Sequence, residues 1–218
     1  MRIRILVPVL LLLIVTSACA MLPGGEPAAP ASSDSSSTAL FSDDFSASNT
    51  GWDSATDEAG VTDYLEGEYQ ILVNQTDYYL WANPGKTFSD VRVEVDLRAV
   101  EDRGGDMGLI CRYKDAENFY FLRITSDGYY GISKMVNGEE SLLGNDQLIV
   151  SDRIKTGTEA NHLRADCVGD QLTLYVNGDM VADITDADLT SGDVGLIAGT
   201  FEQGGNDVRF DNFQVFRP

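Results

Sequence analysis

In the stretch VRVEVDLRAV, 91–100, apolar and polar side chains alternate strictly from Val91 to Ala99. Successive side chains of a β-strand point to opposite faces, so Val93, Val95 and Leu97 share one face while Glu94, Asp96 and Arg98 share the other. A helix would scatter these residues around its whole circumference. The stretch therefore reads as a strand with one dry side and one wet side.

Runs of the same kind recur from residue 40 onward, and no sustained helical periodicity interrupts them. They are YLEGEYQILV, GLICRY, NFYFLRIT, YYGISKMV, HLRADCV, QLTLYV, MVADI, VGLIAG and VRFDNFQVF, with Gly, Asn and Asp between them. Asn137-Gly138 and Asn177-Gly178 are the dipeptides that type I′ hairpin turns prefer, and Asp127-Gly128 marks a third turn. Many short strands without crossover helices predict an all-β fold, an antiparallel sandwich or barrel. Alternation also places Leu163, Ala165 and Cys167 together, opposite His162, Arg164 and Asp166.

Before residue 40 the composition changes. Arg2 and Arg4 precede an apolar run from Ile5 to Val15, too short for a spanning helix, and small residues follow. Residues 1–18 are expected to be a lipoprotein signal peptide in which TSAC acts as a lipobox and Cys19 becomes the lipidated first residue. Thr16 departs from that pattern, and ACA also fits ordinary signal cleavage, which would remove Cys19. Residues 19–39, rich in Pro, Gly, Ser and Ala, have too little to bury and are expected to be a flexible tether. Residues 40–218 are left as the folded β domain, exported and anchored at the outer face of a bacterial membrane.

The chain carries three cysteines and a formal net charge of −20. Such an excess repels phosphate backbones and anionic lipid, which excludes nucleic acid as a partner and leaves membrane contact to the lipid anchor alone. With Cys19 in the leader, Cys111 and Cys167 form an even pair in an exported chain. A disulfide on the core side is expected, two buried thiols being the alternative.

Taken in order, LFSDDFSASNTGWDS, FSDVRVEVDLR, GLICRYKDAENFYFLRITSDGYYGISK, LRADCVGDQLTLYVNGDMV, VGLIAG and VRFDNFQVF resemble a concanavalin A-like (laminin G-like) jelly roll. The chain is especially similar to bacterial exported domains grouped with the 3-keto-disaccharide hydrolases. That resemblance spans about residues 40–218 and implies an antiparallel two-sheet β-sandwich. Its chemistry is left open, because the same fold serves lectins, carbohydrate-binding modules, glucanases and adhesion domains.

The strand that opens this section is similar to the E-x-D-x-E motif of jelly-roll glucanases, but Arg98 stands where the acid should be. A guanidinium gives up no proton near neutral pH and favours the ionised form of a neighbouring carboxylate. A paired, solvated polar face is the expectation. His162, the single histidine, has no Ser or Cys nucleophile identifiable beside it, and zinc lacks a ligand cluster. DADLTSGD fails as a calcium loop because Gly192 falls one place late and Ile197 replaces the bidentate Glu. A structural calcium between Asp44 and Asp211 is the remaining metal expectation; no other cofactor is expected.

Aromatic faces beside charged groups suit a sugar. The candidate ligand contacts are Trp81, Arg112, Tyr120, Arg123, Tyr130 and Lys134, within a set that also holds Tyr78, Tyr79 and Tyr129. Arg112 leads because it should face away from Cys111. In FYFLRI, parity alone does not say whether Phe119 and Phe121 or Tyr120 and Leu122 point inward. The expected function is binding of a glycan or a cell-surface protein. A glycoside-processing hydrolase of the 3-keto-disaccharide type and a structural adhesion domain are the alternatives.

The lipidation reading has a direct check. Metabolic labelling with a fatty acid should mark the wild-type protein and leave Cys19→Ser unlabelled; equal labelling of both would remove Cys19 from the anchor.

Overall fold

The computed structural model describes residues 38–218. The expected signal peptide, Cys19 and nearly all of the tether lie outside the described residues.

Sixteen strands follow one another in the described chain: β1 (Phe41–Asp43), β2 (Ala55–Thr56), β3 (Gly60–Leu65), β4 (Glu68–Val73), β5 (Tyr79–Ala82), β6 (Val91–Ala99), β7 (Asp106–Asp115) and β8 (Asn118–Thr125) come first. They continue with β9 (Tyr129–Val136), β10 (Glu139–Leu142), β11 (Ile149–Val150), β12 (Asn161–Val168), β13 (Gln171–Val176), β14 (Asp179–Thr185), β15 (Asp193–Gly199) and β16 (Asn206–Phe216). No helix occurs among the described residues. The strands form a nine-stranded sheet in the order β14-β13-β12-β6-β16-β4-β3-β2, with β1 on β16, and a seven-stranded sheet in the order β10-β9-β8-β7-β15-β5, with β11 on β9. Every pairing in both sheets is antiparallel.

VRVEVDLRA becomes β6, near the centre of the larger sheet, with alternate residues buried. YLEGEYQILV is not one strand but two. Glu66 and Gly67 both take positive φ, 57° and 86°, and turn β3 into β4 as a hairpin. Positive φ at both central residues also marks Asn137-Gly138, between β9 and β10, and Asn177-Gly178, between β13 and β14, the geometry that type I′ turns require.

The sheets meet through one apolar layer. Val93, Val95, Leu97, Leu163, Ala165, Leu174 and Phe210 from the larger sheet share a continuous core with Met107, Leu109, Tyr120, Leu122 and Leu196 from the smaller one. Cys111 on β7 and Cys167 on β12 are joined by a disulfide across that layer, their Cα atoms 6.7 Å apart. In the chain-entropy picture a closed loop of this length adds roughly 4 kcal/mol.

Arg112, next to Cys111, corrects an expectation. It stands at a break in register between β7 and β8, with φ of 56°, and its side chain turns into the protein, where it is 1% exposed. Nη1 donates to the Leu189 carbonyl at 2.8 Å and Nη2 to the Gly169 carbonyl at 2.7 Å. The bulge lets two neighbouring residues depart from simple alternation, so facing away from Cys111 does not make Arg112 a surface residue. It fastens loops at one end of the sandwich.

Truncating Arg112 would strand two carbonyls and open a cavity. Arg112→Ala should lower unfolding free energy by about 3 kcal/mol, read by urea denaturation. A loss below about 1 kcal/mol would contradict the fastening role.

Candidate functional site

The two outer faces differ in chemistry. On the larger sheet, β6 and β12 run in register, so Glu94 meets Arg164 and Asp96 meets His162. His162 Nδ1 lies 2.8 Å from Asp96 Oδ1, and Nε2 lies 3.6 Å from Glu94 Oε2. Hydrogen bonding to Glu94 raises the His162 pKa, with Asp96 adding to it. Arg98 donates to Glu68 at 2.8 Å, Arg92 lies 3.6 Å from Asp166, and Arg164 grips Asp166. Glu94, Asp96 and Arg98 are thus members of a lattice of surface ion pairs. Such pairs are worth about 0–1 kcal/mol each.

On the smaller sheet the outer face is apolar and aromatic. Tyr120, Leu122 and Ile124 of β8 enter the core, which sends Phe119, Phe121 and Arg123 outward. Ile110, Phe119, Phe121 and Ile197 form a second packed cluster, bordered by the partly exposed Tyr79, Trp81, Tyr113 and Met135. Ring centroids of Trp81 and Phe119 lie 5.4 Å apart, those of Phe119 and Phe121 5.7 Å, and those of Tyr79 and Phe121 5.5 Å. Trp81 Nε1 donates to the Tyr113 hydroxyl at 3.3 Å.

A charged group is set into this slab. The Arg123 guanidinium lies over Phe121 at 4.7 Å, and its Nη1 donates to the Tyr79 hydroxyl at 2.6 Å. That hydroxyl donates in turn to Asp106 Oδ2 at 2.9 Å. Arg123 Nη2 reaches Glu140 at 2.9 Å. Asp106 is 1% exposed, and burial pushes its carboxyl up to about 6, against the pull of Arg123. Burial likewise raises the Tyr79 phenol, which stays a neutral donor.

Three polar atoms of this face have no hydrogen-bond partner among the described residues: Asp106 Oδ1, Arg123 Nε and Ser133 Oγ. The first two lie 3.4 Å apart, near enough for charge attraction but not aligned for a bond. An unpartnered buried polar atom costs about 1–3 kcal/mol. Three such atoms lie on the outward side of this sheet, one acceptor, one donor and one hydroxyl that is both, each shielded from solvent.

Of the six residues expected to contact ligand, only Trp81 and Arg123 stand on this face. Tyr120 is fully buried in the core, where its hydroxyl bonds Asp186 and accepts from Leu189 N at 3.0 Å. Tyr130 packs against the core from the opposite side of β9 to Tyr129. Lys134 shares that inward parity and is held by Asp186 at 2.6 Å and Asp188 at 2.5 Å. Together with Arg112, these three are structural ties at the sandwich rim. Asp44 Oδ1 serves Ser46 and Asp211 Oδ1 serves Asn212 N, and no cluster of three or more His, Cys, Asp or Glu suited to a metal occurs among the described residues.

Asp106, Ser133 and Glu140 went unnoticed in the sequence. One signal was present for Asp106: an odd number of positions separates it from Cys111, so an inward cysteine implies an outward aspartate.

A model of the 3-keto-alpha-glucoside-1,2-lyase-like domain matches residues 36–215. Among solved structures, a carbohydrate-binding module from Bacillus subtilis superposes with TM-score 0.61 at 22% identity, covering 77% of this chain and 96% of that one. The β-glucanase of Bacillus licheniformis gives 0.60 at 12% identity, covering 82% and 98%. A xylan β-1,4-xylosidase from Bacillus halodurans gives 0.59 at 17%, covering 81% of this chain but 39% of the enzyme. At these identities the likeness is one of fold, the jelly roll. A search of curated protein sequences finds no match.

Asp106 makes stability depend on pH. The unfolded carboxyl ionises near 3.8 and the folded one near 6, so its contribution is complete in acid and fades as pH rises through 6. Relative to Asp106→Asn, the wild type should lose about 2 kcal/mol between pH 4 and pH 7 in denaturant titrations. A constant difference would show that Asp106 ionises freely.

Proposed function

Because this chain belongs to the 3-keto-alpha-glucoside-1,2-lyase-like domain family, we propose that it binds carbohydrate on the outer face of its seven-stranded sheet. The observation that carries the reading is the trio of unpartnered atoms on Asp106, Arg123 and Ser133 beside an aromatic slab. Sugar hydroxyls both donate and accept, which is what this mixed trio needs, while the C–H faces of the ring suit Trp81 and Tyr79. Arg123 is already balanced by Asp106 and Glu140, so the site favours a neutral ligand over an anion. Glu140, with a side chain 31% exposed, borders the Arg123 guanidinium at 2.9 Å. The leader around Cys19 supports display of the domain on a lipid anchor outside a bacterial membrane.

One observation favours turnover as a second reading. A carboxyl pushed up to about 6 exchanges its proton near neutral pH, as a base acting beside a keto group must, and Asp106 is such a group with Tyr79 at its side.

A glycan array probed with the purified protein tests both. Saturable binding is expected, with Trp81→Ala weakening it about tenfold. Arg164→Ala, on the other sheet, should leave affinity unchanged. Release of product would establish turnover; silence in both assays would move the protein to a structural role in the envelope.

A further inference from the structure

Where β8 turns into β9, a cavity of about 450 Å³ opens at the end of the sandwich, lined by Gly104, Asp127, Tyr129, Leu148 and Phe201 among others. Asp127 is its one charged lining residue, and no Lys, Arg or His lines it among the described residues. Tyr129 and Phe201 are 39% and 38% exposed, so both rings are open to a ligand.

Those rings differ from others in the protein. Phe41, Tyr79, Phe121 and Tyr175 each have a cation of the protein itself over the ring, supplied by Lys86, Arg123 or Arg164. Tyr129 and Phe201 have none among the described residues. Their carboxylate neighbour is held in place: Thr125 Oγ1 donates to Asp127 Oδ1 and accepts from Tyr129 N at 2.9 Å, which fixes ring and charge in one turn. A Cβ at Gly104 would lie 3.5 Å from Asp127 Oδ2, so the carboxylate leans on another lining residue. Behind that residue, Ser126 Oγ accepts from Gly104 N at 2.9 Å and donates to Asp102 Oδ1 at 2.8 Å, bringing a second carboxylate to the same wall. Arg103, next to Gly104, is paired with Glu101. The formal net charge of −20 draws cations toward the whole surface.

The faces of aromatic rings are electron-rich and attract a cation, most effectively one that gives up its water readily. A primary ammonium is strongly hydrated, whereas a quaternary ammonium makes no hydrogen bonds and carries its charge on methyl groups that pack against rings. We propose that this cavity binds a quaternary ammonium group, with its methyls on Tyr129, Phe201 and Leu148 and its charge balanced by Asp127. The site uses none of the residues of the Arg123–Asp106 group and does not rest on the carbohydrate reading. The same group occurs in free solutes and in lipid headgroups, and the test separates the two.

Calorimetric titration of the purified protein at low salt compares choline with ethanolamine, a primary ammonium, and with dimethylbutanol, in which carbon replaces the charged nitrogen. Choline should bind about tenfold or more tighter than either, and added salt should weaken it. Phe201→Leu keeps apolar bulk without the ring, and Asp127→Asn keeps shape without the charge. Each should weaken choline about fivefold, with the thermal midpoint unchanged as the fold control. Cosedimentation with phosphatidylcholine vesicles that free choline competes away would assign the site to a lipid headgroup; choline binding without it would assign a free solute. Absence of choline binding, equal affinity for dimethylbutanol or ethanolamine, or full choline affinity in both variants would overturn the proposal. The three probes on the wild type decide the matter even where a variant fails to fold.

Discussion

Val93, Val95 and Leu97 on β6 face Met107, Leu109 and Cys111 of β7 across the space between the sheets, all 1% exposed or less. Removing each such side chain from water contributes about 1.5–3 kcal/mol, and only one of the two faces of a strand can meet the opposite sheet. That constraint assigns a direction to the residues of each strand wherever the register is unbroken. The Cys111–Cys167 bridge locks the assignment from both sides, because a one-residue slip of either strand would carry its sulfur to the opposite surface.

With the inner faces spoken for, the outer faces diverge. The larger sheet turns outward a lattice of paired Arg, Asp, Glu and His that lies half in water, although Arg92 Nε lacks a hydrogen-bond partner there too. Water screens those charges, so they keep the face soluble without making it a site. The smaller sheet turns outward aromatic rings that shelter one ion cluster from water. In that environment the same residue types behave differently: Asp106 is driven toward its neutral form, while Asp96 on the other sheet meets His162 at the surface. Low polarity around a charge raises the penalty for every missing partner. The unpartnered atoms of Asp106, Arg123 and Ser133 therefore say more than any exposed polar residue could.

The polar residues at the rim have a separate task. Arg112 reaches Leu189 and Gly169, while Tyr120 and Lys134 both reach Asp186. The long connection between β14 and β15 is fastened from β7, β8 and β9. A buried arginine donating to backbone carbonyls is a chain-fixing device, and its charge is not free for a ligand.

Much of the architecture was legible in residues alone. Strict alternation in VRVEVDLRAV and NHLRADCV, Asn-Gly turns with both φ values positive, and an even cysteine pair are local signals, and local sterics and strand period enforce them wherever the chain goes. NFYFLRIT held no such answer, because both of its faces are apolar. Whether Tyr120 or Phe121 points inward depends on which face the other sheet covers, and that is a property of the assembled pair. Arg112 was misplaced for a similar reason: a register break between distant strands, invisible in the local pattern, turned it into the interior. Asp106, Ser133 and Glu140 come from β7, β9 and β10 and become one site only when those strands lie side by side. The amino-acid order determined the strands and their periodicity; the packing of one sheet on the other decided which residues meet, since a side chain's neighbours across a sheet are set by register and burial rather than by its own type.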